Sequence, residues 1–172
     1  MTSDTDRPAA GPPSWRGVHG TGISQQLLIA CAPFGPRLSA TTAARAIARG
    51  LVDGGLPEPD VCPLPIAGAG AGGHDSGGEL REILEALGFD ARMRRARAVV
   101  VGAALLEERT LDGSVTFEIA TRARQSGVPA YAVTGEDALD AFDARILDLQ
   151  VILEARSSRG LASAGFKLAQ LV

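Results

Sequence analysis

Apolar residues in this chain fall into short unbroken runs, separated by stretches in which they return every third or fourth position. That alternation predicts strands followed by helices. Leu27-Leu-Ile-Ala30 has the character of a first, buried strand. After the loop from Cys31 to Arg37, Ser39 is placed to cap a helix in which Ala43, Ile47 and Leu51 recur every four residues. Gly54-Gly55 ends it. Val61 to Ile66 is a second strand, confined by Pro63 and Pro65 to an edge or to a few paired residues. Asp75 or Ser76 then opens a helix with Leu80, Ile83, Leu84 and Leu87 on one face, closed by Gly88. Ala98-Val-Val-Val-Gly102, β-branched and uncharged, is predicted at the sheet centre.

Asp112 or Ser114 starts a helix through Ile119, Ala120 and Ala123 to Gly127, and Val128 to Val133 is the next strand. A short helix across Asp137 to Phe142, a strand inside Ile146 to Leu153 and a closing helix from about Leu161 to Leu171 complete the pattern. Strands alternating with helices imply right-handed crossovers. The fold class is therefore α/β: an open, mostly parallel sheet with helices on both faces, a Rossmann-like or flavodoxin-like three-layer sandwich. Residues 1–23, rich in Pro, Gly, Ser, Thr and Asp and without periodicity, read as a disordered N-terminal arm, and residues 24–172 as a single domain.

Composition narrows the function classes. The 172 residues suit one domain, and 45% hydrophobic against 4% aromatic residues describes a core of Ala, Val, Leu and Ile rather than a β-sandwich. A formal charge of -3 offers no global field to attract nucleic acid or anionic lipid, so neither is expected as a partner. No run reaches the roughly 18 apolar residues of a membrane span. Cys31 and Cys62, without a Cys-x-x-Cys pattern, read as two buried thiols in a reducing, cytoplasmic protein.

In open parallel sheets ligands lie beyond the carboxyl ends of the strands, so the loops after Ala30, Ile66, Val101 and Val133 are the places to look. Gly68 to Gly78 holds six glycines in eleven residues and leads into a helix. Its backbone amides at Gly68, Gly70, Gly72, Gly73, His74 and Ser76 are candidates for cradling a phosphate, the alternative being a plain linker. No Gly-Lys-Ser/Thr follows, so it is not a Walker loop. His74 and Asp75 are the one neighbouring acid–base pair, although Asp75 also suits a helix cap. Arg37 and Arg109 have the fork geometry to clamp a carboxylate or phosphate. Glu107 and Glu108 carry oxygens that suit Mg²⁺, or simply form a solvated acidic pair. Arg92-Met-Arg-Arg-Ala-Arg97 reads as a solvated basic face at the end of the sheet away from any ligand.

Three segments resemble the glycerate kinase family. Ile29 to Ala40 is similar to Ile-Ala-Pro-Asp-Ser-Phe-Lys-Gly-Ser-Leu-Ser-Ala, with Ala32 and Gly35 where the family has Asp and Lys. Pro65 to Gly72 is similar to Pro-Met-Ala-Asp-Gly-Gly-Glu-Gly, with Gly68 and Ala71 at the acidic positions. From Val99 the chain resembles Val-Ile-Thr-Gly-Glu-Gly-Arg-Leu-Asp-Ser-Gln-Thr-Leu-His-Gly-Lys. It keeps Gly102, Leu106, Thr110, Leu111 and Gly113, while Ala103, Leu105, Glu107, Arg109 and Ser114 stand for Glu, Arg, Asp, Gln and Lys. The resemblance implies an ATP- and Mg-dependent phosphotransferase scaffold, with Gly102, Glu107, Arg109 and Thr110 as candidate site residues and the family's inserted second domain missing. The replacements imply lost catalysis. A small-molecule or protein partner is then the expected role, with residual glycerate kinase activity or self-association through apolar helices as the alternatives.

Overall fold

The computed structural model describes residues 26–65, 76–108 and 114–172, excepting the side chains of residues 76 and 77. Among the described residues five strands form one sheet: β1 (Leu28–Cys31), β2 (Asp60–Pro63), β3 (Val99–Ala103), β4 (Ala130–Thr134) and β5 (Leu149–Glu154). Every pairing is parallel, and the order is β2-β1-β3-β4-β5. That is the flavodoxin-like doubly wound order, whose chain direction switches between β1 and β3. The expected central place of β3 and edge place of β2 are both realised. β2 runs from Asp60 rather than Val61 and stops at Pro63, because only Asp60 to Pro63 align with Leu28 to Cys31.

The helices are α1 (Ala40–Asp53), α2 (Ser76–Ala86), α3 (Phe89–Met93), α4 (Val115–Gln125), α5 (Ala141–Leu147) and α6 (Ser158–Ala169). Successive strand residues point to opposite faces, so Ile29 and Cys31 pack under α1 and α6 while Leu28 and Ala30 pack under α2, α3 and α4. Three layers result, as the sequence pattern predicts. Ser39 caps α1 by accepting the Thr42 N–H, and Gly55 ends it with φ at 94°, a left-handed turn suited to glycine.

Two expected helices differ. The short helix placed at Asp137 to Phe142 instead begins after Asp140, whose side chain accepts the N–H groups of both Phe142 and Asp143. Residues 137 and 138 are drawn away by pairing with Leu106. The closing helix starts at Ser158, capped by Ser157, one turn earlier than its apolar spacing indicates. The expected N-terminal arm lies outside the described residues.

The arginine cluster is also corrected, since Arg92 is not a solvated charge. From α3 it donates Nε to Asp60 Oδ2 at 2.8 Å, Nη2 to Asp60 Oδ1 at 2.6 Å and Nη2 to the Val61 carbonyl at 3.0 Å. The hydrogen bond and charge of Arg92 hold the Asp60 carboxyl below its usual value, against a smaller opposing effect of burial. A carboxyl depressed in the folded state contributes stability above its unfolded pKa of about 3.9, and that contribution is lost as pH falls through the lower, folded value. The stability gap between the native chain and Asp60→Asn, read by urea unfolding, is therefore expected to be widest near neutrality and to close below about pH 4. A gap unchanged by acid would contradict the pairing.

Candidate functional site

The chain-direction switch places the candidate site at the carboxyl ends of β1 and β3, where the following loops part toward opposite faces of the sheet. The β1 loop is short and tightly folded. Ala32 N–H donates to Gly102 O at 2.8 Å, anchoring the loop to β3, and Phe34 N–H donates to Leu38 O at 2.9 Å. Gly35 stands at its tip with φ at 100° and no atom within 4 Å of where a Cβ would lie. Space is not the constraint there. The backbone conformation is, because an L side chain at that φ is strained. Arg37 is exposed beside it.

The β3 loop turns the other way and runs alongside the loop after β4. Gly135 N–H donates to Ala103 O, Leu106 N–H to Glu136 O and Ala138 N–H to Leu106 O, all within 2.8–3.0 Å. Gly135 permits this approach, since a Cβ there would lie 2.4 Å from Ala104 O. In this loop Ala103 is buried and Leu105 is 39% exposed. Glu107 is part-buried and Glu108 exposed. Ser114, at the far end of the loop, accepts the Phe117 N–H at 3.2 Å as the N-cap of α4.

The other acidic groups at this end of the sheet hold turns together. The buried Thr134 hydroxyl donates to Glu136 O at 2.9 Å and accepts from Glu136 N–H. Arg156 donates Nε to Gly135 O at 2.8 Å and pairs through Nη2 with Glu136 Oε2 at 3.2 Å. Glu154 Oε1 accepts the Asp137 N–H at 2.8 Å. Glu136, Glu154 and Arg156 are absent from the sequence reading. The Thr134-Gly135-Glu136 step after β4 is a signal for Glu136 alone.

Of the residues singled out in the sequence, Arg37, Gly102, Glu107 and Glu108 fall within this region. Gly102 has a packing reason for being glycine: a Cβ would lie 2.5 Å from Cys31 Sγ, and its carbonyl is taken by Ala32. Ser76 is the first residue of α2. Gly68, Gly70, Gly72, Gly73, His74, Asp75, Arg109 and Thr110 lie outside the described residues, so the glycine-rich loop and the remainder of the β3 loop are not located.

The two cysteines sit on opposite faces of the sheet, both free and buried, as the sequence suggests. Burial pushes the Cys31 thiol up to about 12 and also raises that of Cys62, so neither is a nucleophile at neutral pH. Among the described residues no group of three or more His, Cys, Asp or Glu side chains is placed to hold a metal ion. No helix among the described residues is long and apolar enough to cross a membrane.

No curated protein matches the chain significantly. Among solved structures, a diflavin flavoprotein A3 from Nostoc sp. is 16% identical over 85% of this chain and 91% of its own, with a TM-score of 0.43. The glycerate kinase family model matches residues 75–162, just over half of the chain. That stretch contains α2, α3, α4, α5, β3, β4, β5 and the β3 loop whose motif resembles the family's. The chain belongs to the glycerate kinase family.

Proposed function

We propose that this member of the family no longer phosphorylates glycerate and serves as a binding domain, with a small ligand or a protein partner held at the loops after β1 and β3. One observation carries the reading: several positions that the family motif fills with charge hold uncharged residues here. Gly35, in place of the motif's lysine, sits at a φ of 100° that disfavours any side chain. Ser114, in place of a second lysine, caps α4. Ala103 is buried in place of a glutamate, and Leu105 turns an apolar side chain outward in place of an arginine.

Phosphoryl transfer depends on positioning and on neutralising developing charge with Lys, Arg and metal-bound carboxylates. Loss of one such group lowers the rate by roughly two to three orders of magnitude. Several losses together take an ordinary turnover of about 10 per second below detection. The competing reading is residual ATP- and Mg-dependent glycerate kinase activity, favoured by Glu107, a part-buried carboxylate at the motif's aspartate position. It would also require Arg109 and the Gly68 to Gly78 loop to replace the missing groups.

A coupled assay of ADP release with glycerate and Mg-ATP separates the two. No turnover above the uncatalysed background is expected, and a rate near 1 per second, ordinary for an enzyme, would overturn the proposal. A thermal-shift screen against nucleotides and small acids then sorts the occupants. A ligand that raises Tm identifies a small-molecule site, and none doing so points to a protein partner.

A further inference from the structure

We draw no further inference here: the strongest candidate, the surface patch of exposed Arg94, Arg95 and Arg97 that follows α3 at the amino end of the sheet, carries nothing because nothing among the described residues shows what covers it.

Discussion

Phe89→Ala is expected to lower the stability of the domain by about 3 to 5 kcal/mol, a large part of the 5–15 kcal/mol typical of a domain. Phe89 is fully buried in the core cluster that also contains Leu80, Leu84, Met93, Ala30 and Val101. Removing its ring deletes the transfer free energy of the side chain and leaves a void that the rigid sheet on one side cannot fill. The position matters for a second reason. α3 has five residues, too few to be stable alone, so its tertiary contacts must hold it. Besides Phe89 and Met93 these are the Arg92–Asp60 pair and the pair between Arg122 of α4 and Asp90, at 2.9 Å. Both pairs are partly exposed, so the apolar contacts dominate. Thermal and urea unfolding should show Tm falling by roughly 10 °C. A loss below about 1 kcal/mol would mean that α3 is not docked as described.

Gly50→Ala is expected to destabilise by about 2 to 3 kcal/mol even though alanine is the better helix former by about 1 kcal/mol. A Cβ at Gly50 of α1 would lie 1.9 Å from Ala162 O and 2.8 Å from Phe166 N of α6, and helix backbone cannot swing aside as a side chain can. The contact is reciprocal: a Cβ at Gly165 would lie 2.3 Å from Ile47 O, and one at Gly54 2.4 Å from Ala169 Cβ. The two helices must separate to admit a methyl, loosening the layer over Ile29, Cys31 and Val100. Gly78→Ala in α2 serves as the control. No atom lies within 4 Å of its Cβ position, so the same exchange there should stabilise, by about 0.5 to 1 kcal/mol. Opposite signs in chemical unfolding are the expected result. A neutral or stabilising Gly50→Ala would show that α1 and α6 do not cross as closely as described.

The retained and lost features of the candidate site were visible in the chain itself, because a motif position is a matter of residue type. Ala32, Gly35, Ala103 and Leu105 show the missing charges without any coordinates. What they do instead was not visible. Whether Gly35 is a passive deletion or a left-handed turn depends on φ, and whether Ser114 or Asp112 caps α4 depends on where the helix begins. Gly102 reads as a ligand-facing glycine in the motif and as relief for Cys31 in the sheet.

Hydrophobic periodicity determined the five strands, four of the six helices and the three layers, since burying one face of each element is a local demand that the residues themselves record. It misplaced α5, where the capping carboxylate of Asp140 and the pairing of Leu106 with Asp137 outweigh apolar spacing. It left α3 unseen, because a five-residue helix has too little length to show a period. The order β2-β1-β3-β4-β5, the close crossing of α1 on α6 and the Arg92 clasp on Asp60 belong to the tertiary structure. Each joins residues far apart in the chain, and no local pattern encodes which distant partners will meet.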